Sequence, residues 1–112
     1  DIPKIPVEFT VIRDRYITGT RVRLRRMEET ATAVVSLKLT KKYEATDPRY
    51  RPIVTIYLND QEFCLFDELP GNEIVKRRYK VEVSDTKYIL DVFENKLDGL
   101  VIAEIECGSS RW

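Results

Sequence analysis

The stretch TRVRLRR occupies residues 20–26 and places an arginine at every second position. In a β-strand successive side chains point to opposite faces. Arg21, Arg23 and Arg25 therefore form one row, while Val22 and Leu24 form the other. A helix would instead spread the guanidinium groups around its circumference. Like charges roughly 7 Å apart along one strand face repel each other unless the row is solvated or meets a counter-charge. The stretch therefore predicts a β-strand with one cationic face and one apolar face.

The same alternation recurs along the other predicted strands. The charged row holds Arg21, Arg23, Arg25, Lys38, Lys76, Arg78, Lys80, Asp91, Glu104 and Glu106. The opposite row holds Val22, Leu24, Leu37, Leu39, Val75, Leu90, Val92, Val101, Ala103 and Ile105. An ordinary solvent-facing surface would carry mixed polar residues in no order, whereas here the charge is basic on the early strands and acidic on the last two. This sorting favours a barrel with a charged interior and an apolar exterior that helices cover.

Seven strands and one short helix are predicted, which together give a mostly antiparallel α+β fold. The predicted strands cover residues 7–17, 20–26, 33–43, 53–58, 73–83, 88–93 and 100–107, with loops at 27–32 and 44–52. The helix starts after Asn59, because Asn59 and Glu62 have the spacing of a capping box, and it ends at Pro70 and Gly71.

Length and charge distribution limit the architecture. The chain has 112 residues, enough for one domain with a core, and its 19 basic residues balance its 19 acidic ones. Residues 13–43 nevertheless carry nine basic against three acidic side chains, and residues 82–112 carry three against seven. A fold that joins these two segments would therefore set a cationic wall opposite an anionic one.

Several classes of function are disfavoured. The chain has no histidine, which removes the commonest general base and zinc ligand. Its two cysteines, Cys64 and Cys107, lack metal-ligand spacing. No apolar run is long enough to span a membrane and no signal peptide is evident, so we expect a soluble, cytoplasmic protein without a membrane partner.

An ordered set of segments resembles the CYTH, or triphosphate tunnel metalloenzyme, superfamily. The segments are DRYI at 14–17, GTRVRLRR at 19–26, KLTKKY at 38–43, KRRY at 76–79, DVFE at 91–94 and GLVIAEIE at 99–106. The resemblance implies an antiparallel, eight-stranded β-barrel that forms a tunnel for a triphosphate and a divalent metal. Activities in that family include inorganic, thiamine and RNA triphosphatases and one class of adenylyl cyclase.

The resemblance also implies roles for individual residues. The phosphate-binding side chains would be Arg21, Arg23, Arg25, Lys38, Lys76 and Arg78. The metal, Mg²⁺ or Mn²⁺, would be held by Glu104, Glu106 and the neighbouring Asp91. Guanidinium and ammonium groups neutralise phosphates through charge-assisted hydrogen bonds, and carboxylates are the ligands that these metals prefer. Hydrolysis would use a metal-activated water, so the lack of histidine is no obstacle.

The chain departs from the family pattern at both ends. The family's first strand carries Glu-x-Glu-x-Lys, whereas Glu8 is followed two residues later by Thr10 and the motif is missing. Family members also continue into a covering helix after the strand that ends at Glu106. We interpret residues 1–112 as a single CYTH-like domain, truncated or divergent at both ends, and expect this chain alone to be inactive as a triphosphatase.

Three functions stay open on sequence grounds. The first is metal-dependent triphosphate binding, with hydrolysis in a complete form. The second is non-catalytic binding of a polyphosphate, nucleotide or RNA; candidate stacking residues are Tyr43, Tyr50 and Tyr57, but we expect strand-forming roles for them and no nucleic acid partner. The third is a structural module in which Arg21 and Arg23 pair with Glu104 and Glu106. The long apolar row also predicts self-association, to a homo-oligomer.

Overall fold

The computed structural model describes residues 6–44 and 52–106. The strands are β1 Thr10–Ile17, β2 Val22–Glu29, β3 Val35–Lys42, β4 Ile53–Tyr57, β5 Gly71–Val83, β6 Thr86–Phe93 and β7 Val101–Ile105. One α-helix, α1, covers Asp60–Asp67, and a single 3-10 turn covers Asn95–Leu97. This composition confirms the predicted α+β class.

All seven described strands belong to one antiparallel sheet in the order β4-β3-β2-β1-β5-β6-β7. Within the described residues β4 pairs only with β3, and β7 pairs only with β6, so both are edge strands. The sheet is therefore open, and the predicted closed barrel is wrong for this part of the chain. Alternation along each strand determined the two faces correctly but carried no information on whether the two edges meet.

The strand register gives the sheet two faces of different chemistry. Side chains directly opposite each other in an antiparallel pair share a face. Arg25 lies opposite both Asp14 and Lys38, and Arg78 lies opposite Asp91. Continued across the sheet, this register places every strand residue of the predicted charged row on one face, which we call the charged face, and the predicted apolar row on the other.

The other face carries α1, and we call it the helix face. Arg15 lies opposite Leu24 and therefore shares this face with it. Arg15 Nε donates to Asp67 Oδ1 at 3.3 Å, which ties the end of α1 to the middle of the sheet. Leu24 is 1% exposed. The helix therefore lies on the face where the arginine-rich strand points its aliphatic side chains, and Leu24 is buried there although no residue of α1 is itself buried.

The start of α1 follows the predicted capping box. Asn59 Oδ1 accepts a hydrogen bond from the backbone N–H of Glu62 at 2.8 Å, and Glu62 Oε1 accepts one from the backbone N–H of Asn59 at 2.9 Å. These two bonds satisfy backbone donors that a helix N-terminus otherwise leaves unpaired. Because only the residues around a helix end are involved, this feature was predictable from sequence alone.

Several element boundaries differ from the sequence predictions by one to three residues, and two of them have a clear cause. Residues 27–29 continue β2 instead of entering a loop, because Met27 and Glu28 still pair with Ile12 and Val11 of β1. Strand β5 begins at Gly71, where a Cβ atom would lie 2.5 Å from the backbone oxygen of Tyr16. Most of the predicted 44–52 loop and Cys107 at the end of the predicted last strand lie outside the described residues.

We predict that Leu24→Ala lowers the free energy of unfolding by about 2–5 kcal/mol, because it leaves a cavity in the core between the sheet and α1. Leu65→Ala is the matched control, since Leu65 is 71% exposed on the same helix, and it should change stability by no more than about 0.5 kcal/mol. Urea unfolding followed by circular dichroism measures both. Equal losses in the two variants would contradict the assigned faces.

Candidate anion-binding site

A buried ion pair lies at the centre of the charged face. Asp14 on β1 is 1% exposed, and Arg25 lies directly opposite it on β2. Arg25 donates from Nε to Asp14 Oδ1 at 2.6 Å and from Nη2 to Oδ2 at 2.8 Å. This two-pronged geometry uses both carboxylate oxygens and fixes the plane of the guanidinium group. Arg25, predicted to bind phosphate, is therefore already neutralised within the protein.

Asp14 was not among the predicted site residues. Asp14 is two residues from Ile12 and from Tyr16 along β1, so these three side chains share one face, and the pairing of Asp14 with Arg25 makes it the charged face. What the sequence lacks is the register, which decides that Asp14 meets Arg25 and not one of the other two arginines of β2. The signal available in the sequence was an acidic residue, Asp14, in the predicted strand that directly precedes the arginine-rich one.

A second carboxylate, Asp91 on β6, neutralises the basic pair on β5. Arg78 donates from Nε to Asp91 Oδ1 at 2.8 Å and from Nη2 to Oδ2 at 3.0 Å. Lys76 Nζ lies 2.9 Å from Asp91 Oδ2. Burial acts to raise the pKa of Asp91, but hydrogen bonds from Arg78 and Lys76 outweigh it and hold this pKa below its ordinary value. The pKa of Arg78 is raised, mainly by its hydrogen bond to Asp91.

Arg23 and Lys38 differ from these neutralised groups. Among the described residues neither forms a salt bridge, and Arg23 Nε is buried without a hydrogen-bond partner. The pKa of Lys38 is lowered, first by burial and then by the positive charges of Arg25, Arg23 and Arg78, with only Asp14 acting in the opposite direction. The β2–β3 part of the charged face therefore carries excess positive charge at close range.

The remaining predicted residues lie towards the ends of the sheet. Arg21 precedes β2 and forms an ion pair with the exposed Glu44. Glu104 lies on β7 and shares the charged face, where its charge raises the pKa of Arg78 among smaller causes. Glu106 follows β7, and its backbone N–H donates to Lys87 O at 2.8 Å. Basic and acidic groups are thus sorted across the sheet, as the sequence predicted.

The pairing that defines the structural-module hypothesis is not formed. Strands β2 and β7 are separated by β1, β5 and β6. Neither Arg21 nor Arg23 forms a salt bridge with Glu104 or Glu106. Among the described residues Asp14 and Asp91 pair with Arg25, Arg78 and Lys76, while Arg23 and Lys38 form no ion pair.

Among the described residues the predicted metal ligands do not form a group of three. Both oxygens of Asp91 are in contact with the cations Arg78 and Lys76. In residues 6–44 and 52–106 no three His, Cys, Asp or Glu side chains are grouped closely enough to hold a metal ion. A Mg²⁺ or Mn²⁺ site at Asp91, Glu104 and Glu106 stays a prediction.

The candidate stacking tyrosines do not form one strip. Lys38 Nζ lies 5.8 Å from the ring centroid of Tyr57 on the charged face. Tyr43 lies beside Lys41, 4.8 Å from its Nζ, and Lys41 belongs to the helix face. Tyr50 is outside the described residues. In the part of the chain that the structure describes, basic groups and exposed aromatic rings therefore do not alternate along a single face, the arrangement typical of a single-stranded RNA surface.

No family model matches the sequence, and searches of curated proteins and of solved structures found no match. The resemblance to the CYTH superfamily stays a prediction that depends on the ordered segments. The helix that the structure describes is too short and too polar to be a candidate membrane span.

We predict that Asp14→Asn lowers the free energy of unfolding by about 3–5 kcal/mol, because it leaves the Arg25 charge buried without its partner. Glu28→Gln is the control: Glu28 pairs with Arg26 at 3.0 Å, but both side chains are 39% exposed, and the expected loss is below about 1 kcal/mol. Urea unfolding measures both variants. A loss for Asp14→Asn no larger than that of the control would show that the buried pair is not a structural constraint.

Proposed function

We propose that the charged face binds a polyphosphate anion, such as tripolyphosphate or the triphosphate group of a larger molecule, next to Arg23 and Lys38. The observation that carries this proposal is the surplus of positive charge around Lys38. Its ammonium group is close enough to Arg23, Arg25 and Arg78 for all three to lower its pKa. Because Asp14 is the one carboxylate whose charge opposes these three cations at Lys38, an anion is the partner that this surface lacks.

The chemistry of the neutralised groups supports the same ligand class. Arg25 and Arg78 are held rigidly by their carboxylate partners, so their remaining N–H groups and charges are preorganised. Arg23 and Lys38 can then supply direct charge-assisted hydrogen bonds to phosphate oxygens. Burial already disfavours the charged form of Lys38, and a bound anion would compensate for that penalty.

We also propose that the open sheet is part of a tunnel. Six successive antiparallel pairings connect β4 to β7, so the two edges run in the same direction. One additional strand, antiparallel to both edges, would close the sheet and enclose the charged face. The resemblance to triphosphate tunnel proteins supports this proposal, as does the exposed apolar character of both edge strands.

The proposed function stops at binding. Hydrolysis of a triphosphate in this family pattern depends on a metal-activated water, and the described carboxylates do not form a three-ligand site. Glu104 and Glu106 would be the first residues to test if a larger form of the protein hydrolysed phosphate. For the chain as given, we propose a phosphate-binding rather than a triphosphatase role.

We predict that Lys38→Met weakens tripolyphosphate binding about tenfold or more, since a charge-assisted hydrogen bond contributes about 1.5–3 kcal/mol. Lys41→Met is the matched control, because Lys41 lies on the same strand but on the helix face, and it should bind nearly as the original protein does. Arg23→Ala and Arg26→Ala form the corresponding pair on β2. Isothermal titration calorimetry measures the affinities, which should fall as salt rises. Equal affinities within each pair would contradict the proposed site.

We also predict that tripolyphosphate affinity falls as pH rises towards 10.5, the ordinary lysine value, and that the fall starts below it. The sign follows from the lowered pKa of Lys38: its positive charge is present at neutral pH and is lost earlier than that of an exposed lysine. Lys38→Arg keeps its charge throughout this range and should show a smaller decline. Calorimetry across the pH series compares the two, and identical profiles would show that Lys38 does not contact the anion.

A further inference from the structure

A small cavity adjoins this site at the turn between β1 and β2. Its volume is about 170 Å³, and its lining consists of Tyr16, Thr20, Arg21, Val22, Arg23 and Lys42. Three of these six side chains are cationic and one carries a phenol hydroxyl group. The cavity therefore combines charge and hydrogen-bond donors in a space separate from the Lys38 contacts.

The turn that shapes the cavity is fixed by local hydrogen bonds. Thr20 Oγ1 donates to Ile17 O at 2.8 Å and accepts from the backbone N–H of Val22 at 3.1 Å. Gly19 has φ +77°, a left-handed conformation that favours glycine. Because the Thr20 hydroxyl is used in these bonds, it positions Arg21 and does not serve as a donor to a ligand.

The cations come from two neighbouring strand ends. The backbone N–H of Lys42 donates to the backbone oxygen of Arg21 at 3.1 Å, and this bond holds the two residues opposite each other. Arg23 is the next residue of β2 on the same face, and its buried Nε lacks a hydrogen-bond partner among the described residues. The ion pairs of the described residues give this group one counter-charge, Glu44 on Arg21, and the Glu44 side chain is 78% exposed. Within residues 6–44 and 52–106 the cavity thus has excess positive charge and an unused buried donor.

The volume is sufficient for a small anion. A liquid water occupies about 30 Å³, so the cavity has the room of roughly five or six waters. One tetrahedral phosphoryl group fits in that space. A phosphoryl group with two negative charges also matches the three cations better than a carboxylate does, since it offers more oxygens to donors on different sides.

We propose that this cavity is a subsite for a single phosphoryl group, held by Arg21, Arg23 and Lys42 with the Tyr16 hydroxyl group as an additional donor. The group would be the terminal phosphate of the polyphosphate or free inorganic phosphate. Binding of the terminal phosphate rests on the proposed function, because the rest of the polyphosphate would extend from the cavity towards Lys38. Binding of free inorganic phosphate does not, and it allows the two proposals to be tested separately.

The test is a calorimetric titration of the full chain with inorganic phosphate and, separately, with tripolyphosphate. Lys42→Met should weaken both ligands about tenfold, whereas Lys41→Met, one residue away and on the opposite face, should leave both unchanged. Lys38→Met should weaken tripolyphosphate while affecting inorganic phosphate by less than about threefold. Tyr16→Phe should weaken both ligands by a few-fold. Lys42 is exposed, so its replacement should not disturb folding, which circular dichroism checks.

The combinations of outcomes distinguish the subsite from the proposed function. Unchanged affinities for both ligands in Lys42→Met, together with a loss of tripolyphosphate binding in Lys38→Met, would overturn the subsite and leave the proposed function standing. Binding of inorganic phosphate that depends on Lys42, without any binding of tripolyphosphate, would support the subsite and overturn the proposed function. If the original protein bound neither ligand, both proposals would be wrong.

Discussion

The buried ion pair between Asp14 and Arg25 is the constraint on which the charged face depends. Two charges removed from water are costly unless their geometry is good, and replacing such a pair by apolar groups is often neutral or stabilising. Here both guanidinium–carboxylate hydrogen bonds are short, at 2.6 and 2.8 Å, and Asp14 is 1% exposed. The pair links β1 to β2, and Lys38 lies directly opposite Arg25 on the next strand, β3. Its contribution is therefore better described as fixing the positions of the neighbouring cations than as adding net stability.

The arrangement of counter-charges has a functional consequence. If each cation on this face were paired with a carboxylate, the face would have a structural role alone. Without any carboxylate, its cationic side chains would repel one another. This face lies between these limits, because Asp14 and Asp91 pair with Arg25, Arg78 and Lys76, whereas Arg23 and Lys38 form no ion pair among the described residues. The neutralised groups form a rigid frame, and the uncompensated ones are available to a ligand.

The sequence was sufficient for features that depend on local spacing. Alternation along the strands predicted which of Arg23 and Leu24 faces the charged side, and the Asn59–Glu62 spacing predicted the helix start. Features that depend on which strands meet were not predictable in the same way. The engagement of Asp91 with Arg78 requires the β5–β6 register, and the open edges at β4 and β7 depend on pairing between segments far apart in sequence. The metal site was predicted from the resemblance to a family, which does not reveal that Arg78 and Lys76 contact Asp91.

Side-chain NMR of the arginine Nε–H groups, with tripolyphosphate added, tests the central claim most directly. The buried Arg23 Nε–H lacks a hydrogen-bond partner among the described residues, whereas Arg25 Nε–H is committed to Asp14 and Arg26 belongs to the helix face. If the uncompensated cations bind the anion, the Arg23 resonance should shift most and gain protection from exchange, Arg25 should move little, and Arg26 should stay unchanged. A titration in which Arg23 does not respond, or in which Arg26 responds as strongly, would contradict an anion site on the charged face.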